Sequence, residues 1–178
     1  DQYVAYVERI RKSVAEGWVY QVNACRQLQI ASEREELASL FGKLLSENPA
    51  PYAAYLSIPK FKIASASPEL FLSREGSAVK TSPIKGTQTL GEQGFGSKDQ
   101  SENVMIVDLM RNDFGRICEP GSVDVSQLLR SEEHPGLRHL VSDVVGELRK
   151  DISWDEIFKA LLPAGSISGA PKSSALSV

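Results

Sequence analysis

Residues 102–116, ENVMIVDLMRNDFGR, set the period from which the rest of the chain is read. Met105, Ile106, Leu109 and Met110 recur at three- and four-residue intervals, so the stretch is a helix with one apolar face. Glu102, Asn103, Asp108, Arg111, Asn112 and Asp113 are more polar groups than packing requires. If the helix begins near Ser97, Asp99 and Glu102 stand one turn apart and project from the same side. Two such carboxylates suit a hard cation such as Mg2+, which takes carboxylate oxygens and keeps positions for substrate or water. They also read as a solvated face whose acids are favoured by the helix dipole. Spacing alone leaves both readings open.

Upstream, residues 82–87 read SPIKGT. Pro83 and Gly86 allow a tightly shaped backbone that directs Lys85 into a pocket, where burial or a neighbouring cation leaves a lysine as a nucleophilic amine. The alternative is an exposed lysine in a turn. In SPELFLS, residues 67–73, Glu69 follows Pro68 and leads into an apolar run. A partly buried carboxyl there could donate a proton near neutral pH, whereas a strand-end glutamate would simply face water. Arg74-Glu75-Gly76 predicts a hairpin turn returning through Ala78, Val79 and Thr81. Tyr52–Ile58 and Phe61–Ala66 read as strands around a Pro59-Lys60 turn, so the pairing is antiparallel.

Further toward the N-terminus, Ser32 to Glu35 can cap an amphipathic helix through Leu37, Leu40, Phe41, Leu44 and Leu45, stopped by Asn48 and Pro49. Residues 20–30 alternate. Tyr20, Val22, Ala24, Leu28 and Ile30 share one strand face, with Gln21, Asn23, Cys25 and Gln27 on the other. That polar face is either exposed or lines a site. Tyr3, Val7, Ile10 and Val14 make a first helix that Gly17 ends.

Downstream, Asn112 to Gly115 form the helix exit, and residues 119–122, EPGS, turn into Val123 and Val125. From His139 to Leu148 the pattern fits either period, and its valines favour a strand. His139 there is a hydrogen-bonded structural residue or a catalyst. Ser153 and Glu156 form a capping box for a helix that Pro163 ends. PAGSISGAPK, residues 163–172, carries small residues whose backbone N–H groups can converge on an anion, with a new helix after Pro171.

A net charge of -3 over 178 residues, with no lysine-arginine stripe among aromatics, gives no nucleic-acid signature. Cys25 and Cys118 are too few for a disulfide framework and point to a reducing compartment. The chain has no run of about 18 apolar residues and no signal-peptide pattern, so a soluble, cytoplasmic protein is expected. Neither a parallel β-α-β dinucleotide fingerprint nor a Walker lysine loop is present.

SPELFLS, SPIKGT, SENVMIVDLMRNDFGR, HPGLRHLVSDVVGEL and PAGSISGAPK, in this order, closely resemble the chorismate-utilising enzymes. That family includes anthranilate synthase component I, aminodeoxychorismate synthase component I, isochorismate synthase and salicylate synthase. The resemblance implies an α/β (α+β) fold, a layered antiparallel β-sheet core with outer helices. Residues 1–178 would be part of a single chorismate-binding catalytic domain, incomplete at both ends. The lysine of SPIKGT is similar to the aminodeoxychorismate branch, where anthranilate synthases typically carry alanine. Gln21 stands where water-adding members carry lysine. The resemblance therefore implies amination of chorismate at C4 by ammonia to 4-amino-4-deoxychorismate, toward 4-aminobenzoate and folate.

In that scheme Lys85 attacks ring C2 and Glu69 protonates the departing C4 hydroxyl. Glu102 holds Mg2+, with Asp99 beside it where relatives commonly have glutamate. Gln21, Thr87, His139, Gly165, Ser166, Gly169 and Lys172 contact the substrate, and a glutamine amidotransferase subunit supplies the ammonia. The alternatives are anthranilate synthase component I and a catalytically silent segment that keeps partner binding. Family members continue past PAGSISGAPK to further metal-ligating glutamates, and they carry a longer connection than the QTLGEQGFGSKDQS between Thr87 and Glu102.

Overall fold

A computed structural model describes residues 2–29, 37–92 and 94–178. The chain forms two compact units, Asp1–Arg26 with Phe71–Val178, and Gln27–Leu70. It opens with helix α1 (Gln2–Ala15) and a short strand β1 (Gln21–Val22). The long strand expected over 20–30 is cut to these two residues. Alternation alone does not make a strand; Tyr20 and Leu28 are exposed, and only Gln21 and Val22 have ladder partners in β1. Ile30 and the expected Ser32–Glu35 cap lie outside the described residues.

The second unit holds helix α2 (Leu37–Glu47) and the hairpin β2 (Tyr52–Ile58) and β3 (Phe61–Ser67). The hairpin pairs antiparallel from Tyr52↔Ser67 to Ile58↔Phe61. Phe41 stacks on Tyr55 at 5.6 Å, so the helix covers one face of the ribbon. No described residue of this unit is buried.

In chain order β4 (Leu70–Glu75), β5 (Ala78–Ser82), β6 (Ile84–Thr89), helix α3 (Ser97–Gly115), β7 (Asp124–His134) and β8 (Leu137–Glu147) follow. Helix α4 (Trp154–Leu161), the single turn α5 (Gly165–Ser168), β9 (Gly169–Ala170) and the single turn α6 (Lys172–Ala175) complete the first unit. Its five-stranded sheet is antiparallel and centred on β8. Strand β7 pairs along one edge of β8, so β5 and β6 share the other, end to end. Pro83, fully buried, separates them, because proline has no N–H with which to continue a ladder.

Helix α3 packs on this sheet through Ile106, Val107, Met110 and Phe114, which join Val79, Val144, Ile157 and Leu161 in one core. Every residue from His139 to Val144 is buried. A strand buried on both faces loses its polar alternation, which is why this segment reads ambiguously as a sequence. The capping box of α4 is formed: Glu156 N–H donates to Ser153 Oγ at 3.2 Å and Ser153 N–H to Glu156 Oε2 at 2.9 Å. Among the described residues no helix is long and apolar enough to cross a membrane. The whole is a mixed α/β fold with an antiparallel sheet core and outer helices.

Candidate active site

The ladder between β6 and β8 slips between Ile84 and Thr87, which leaves Lys85 and Gly86 as a bulge. A bulge bends its strand and re-aims the side chains beside it. Gly86 has φ +89°, and a Cβ there would lie 3.0 Å from Asp99 Cβ, so glycine lets the start of α3 close on the bulge. Lys85 is half-buried, and its Nζ donates to the main-chain carbonyl of Ser166 at 3.2 Å.

That carbonyl is available because α5 lasts one turn. In a continuing helix the amide of residue 170 would donate to it. Instead the helix ends at Gly169, at φ +137°, and the chain enters β9, which pairs with β1 as Gln21↔Ala170 and Val22↔Gly169. The Ser166 oxygen also accepts Asn23 Nδ2 at 2.8 Å. Asn23 N–H donates to Ser168 O at 3.1 Å, and Gln21 Nε2 donates to Asn23 Oδ1 at 3.3 Å. Gln21 Oε1 is buried with no hydrogen-bond partner among the described residues. At Ser166 the loop presents a carbonyl. The amides of Ile167 and Ser168 are spent on Ala164 O, and that of Gly169 on Gly165 O.

Gly165 and Ser166 are buried, and Gly165 lies against Leu109 and Met110 of α3. Thr87 Oγ1 and His139 Nδ1 are 2.9 Å apart across the register pair Thr87↔His139. Burial pushes the His139 imidazole below its usual pKa, and the charge of His134 adds to this while Glu132 opposes it. The two rings lie 5.0 Å apart.

Asp99 Oδ2 accepts the Gly96 N–H at 3.2 Å, and Glu102 lies 3.8 Å from Lys98. These carboxylates are hard oxygen donors one helical turn apart, a donor chemistry that suits Mg2+. No group of three or more His, Cys, Asp or Glu suited to a metal occurs among the described residues.

Lys172 is arranged differently from the expected substrate contact. Its Nζ donates to Asp113 Oδ2 at 2.5 Å, Leu161 O at 3.1 Å and Ala160 O at 3.3 Å, which uses its three N–H donors. It ties α6 to α3 and to the end of α4. Burial raises the Asp113 carboxyl above its ordinary pKa, against the opposing pull of Lys172 and Arg116. Glu69 belongs to the second unit, where its main-chain N–H and carbonyl both bond the Ser67 hydroxyl, at 3.2 and 3.1 Å.

A cavity of about 770 Å³ lies between α3 and β7, lined by Val104, Met105, Val125 and Leu128. Its charged residues Asp108 and Arg111 pair with each other at 3.4 Å, so it gathers no reactive group. The candidate groups gather instead where Gln21, Asn23, Lys85 and Ser166 meet. Asn23 shares with Gln21 the polar strand face that the alternation marks as a candidate site lining, although the family resemblance gives it no substrate contact of its own.

Comparison with known proteins places a match to the family described as chorismate binding enzyme over residues 1–178. Aminodeoxychorismate synthase component 1 of Bacillus subtilis (strain 168) is 38% identical over 97% of this chain and 39% of its own length. Anthranilate synthase component 1 1 of Haloarcula marismortui is 35% identical over 97% of this chain and 37% of its own. The crystal structure of anthranilate synthase component I from Streptococcus pneumoniae TIGR4 superposes with a TM-score of 0.80 at 29% identity, covering 98% of this chain and 40% of that one. The chain thus spans about two fifths of the length of these relatives.

Proposed function

Because the chain belongs to the chorismate binding enzyme family, we propose that it serves the amination of chorismate at C4, giving 4-amino-4-deoxychorismate. The observation that carries the reading is Lys85, a half-buried amine in the β6 bulge, held by one carbonyl beside Gln21 and Asn23. Chorismate is a cyclohexadiene with a C4 hydroxyl, a ring carboxylate and an enolpyruvyl ether. The Lys85 amine adds to ring C2, both ring double bonds shift by one position and the C4–O bond breaks. The hydroxyl leaves as water with a proton from an acid, the role that the SPELFLS motif gives to Glu69. Ammonia then adds at C4, both double bonds return and the C2–N bond to Lys85 breaks. The net change is hydroxyl for amine, with the enolpyruvyl group retained. A covalent lysine adduct exchanges one difficult substitution for two easier ones.

Gln21 supports amination over hydration, since an amide has no basic nitrogen with which to activate water. Thr87 and His139 would border the ring, and Gly165, Ser166 and Gly169 would shape the loop against it. Glu102, with Asp99 as the weaker ligand, would hold part of an Mg2+ shell, which would supply positive charge to neutralise the ring carboxylate. A glutamine amidotransferase subunit would supply the ammonia.

Anthranilate synthesis is the second reading, favoured by the 35% identical relative of that name. A margin of 38% against 35% does not separate the two, and the lysine at position 85 supports amination at C4. The test is to incubate the protein with chorismate, Mg2+ and an ammonium salt and identify the product by mass spectrometry. We expect 4-amino-4-deoxychorismate, with Lys85→Ala lowering its formation by ~100-fold or more, the scale of losing a catalytic group. Anthranilate as the product would install the second reading, and an unchanged rate in Lys85→Ala would remove the lysine from its role.

A further inference from the structure

We propose that Asn23 is a positioning residue for Lys85, acting through the main-chain carbonyl of Ser166; the proposal rests on reading Lys85 as the nucleophile. A carbonyl oxygen carries two lone pairs and so takes two donors at a fixed angle. On Ser166 these are Asn23 Nδ2 at 2.8 Å and Lys85 Nζ at 3.2 Å. The two donors are not equivalent. Lysine reaches its acceptor on a flexible four-carbon stem, whereas asparagine has a short side chain and a planar amide. Asn23 is moreover gripped on three sides: by its own N–H on Ser168 O, by Gln21 Nε2 on its Oδ1, and by its Nδ2 on Ser166. The Gln21 contact directs Oδ1 away and leaves Nδ2 facing the carbonyl.

Asn23 therefore sets the Ser166 carbonyl, and the carbonyl sets the Nζ end of Lys85. The order of dependence follows from the geometry of α5. With no following helical turn to take up the Ser166 oxygen, its direction is decided by whichever side chain is held most rigidly. That side chain comes from 143 residues away in sequence, on the segment next to β1, and not from the loop itself. Strand pairing of β1 with β9 supplies the rest of the frame.

Two variants test this. Asn23→Ala removes the donor, and Asn23→Asp keeps the shape but turns an oxygen toward the carbonyl. The readout is trace acetylation of the lysines by acetic anhydride, followed by peptide mass spectrometry, with Lys85 referred to the exposed Lys159. Release of Lys85 should raise its relative labelling by roughly 2- to 12-fold, the equilibrium weight of one ordinary hydrogen bond. Tyr3→Phe, which removes the neighbouring bond from Tyr3 OH to Ala24 O (3.2 Å) near the same segment, should leave Lys85 labelling unchanged. A general loosening would raise every lysine together and would overturn the proposal, as would unchanged or reduced Lys85 labelling in both Asn23 variants.

In turnover, both variants should lower kcat by a similar factor with KM for chorismate unchanged. A loss confined to KM would make Asn23 a binding residue and overturn the positioning role. If the unmodified protein makes no aminodeoxychorismate, the proposed function fails while the labelling still decides the part played by Asn23.

Discussion

Gly169 shows how one residue makes the candidate site. At φ +137°, ψ -172° its backbone is in a region that side chains essentially never enter. A Cβ there would lie 2.2 Å from Gln21 O, main chain that cannot give way, and 3.0 Å from Ala175 Cβ. This conformation ends α5 and lets β9 lie on β1, which brings Gln21 and Asn23 to the Ser166 turn. Gly169→Ala should therefore cost on the order of 2–5 kcal/mol, backbone strain plus overpacking. Gly115→Ala is the contrast, because Gly115 is helical with open space around it, and alanine should stabilise it by up to ~1 kcal/mol. Urea midpoints of the two variants check the pair. Equal midpoints would mean that the close approach of β9 to β1 is not a feature of the folded protein.

At the scale of elements, the helices and hairpins were legible because each has one wet face. The period of α3, the capping box of α4 and the turns at residues 76 and 121 all follow from local rules. Strand β8 was harder: both its faces are buried, so no polar alternation marks it. The alternation over residues 20–30 misled because a strand needs a partner, and β9 offers two residues. Gly86 hinted at the bulge that aims Lys85, but the carbonyl that receives the lysine has no letter in a sequence, and the Asp113–Lys172 pair spans 59 positions. The face of β8 that carries His139 also carries Asp143, which lies 3.2 Å from Arg130 of β7 and 3.6 Å from Lys80 of β5, so one carboxylate ties three strands. Burial opposes its ionisation, but the Ser82 hydroxyl beside it and the charges of Arg130 and Lys80 outweigh this and hold its pKa below the ordinary value. A depressed carboxyl pKa adds stability that is present above the unfolded value of ~3.9 and lost as pH falls through the folded one. Asn at 143 should thus be less stable than Asp by about 1–3 kcal/mol at pH 7, part of the cost of breaking a buried pair, since Arg130 keeps Glu132. The gap should close below pH ~4 as the native carboxyl protonates. Urea melts across that range check it, and a gap independent of pH would remove the charge from the explanation.

Across the whole molecule, burial is uneven, and stability should follow it. The core of Ile106, Phe114, Val144 and Ile157 lies wholly within the first unit. The second unit has no buried residue among those described, and Leu56, Ile58, Phe61 and Ile63 of its hairpin are exposed. A two-stranded ribbon is marginal unless its apolar face is covered, and the stacking of Phe41 on Tyr55 covers one part of it. Amides of the β2–β3 ladder should therefore exchange with solvent through partial opening, well below the free energy of global unfolding. Those of β8 from Leu140 to Val144 should open only with the whole unit. We expect a difference of at least ~2 kcal/mol, roughly 30-fold in exchange rate, read by hydrogen exchange and mass spectrometry on peptides from the two segments. Added urea should accelerate the β8 peptides steeply and the hairpin peptides little, because opening the hairpin exposes little new surface. Equal protection and equal urea dependence would mean that the chain opens as one cooperative body despite its uneven burial.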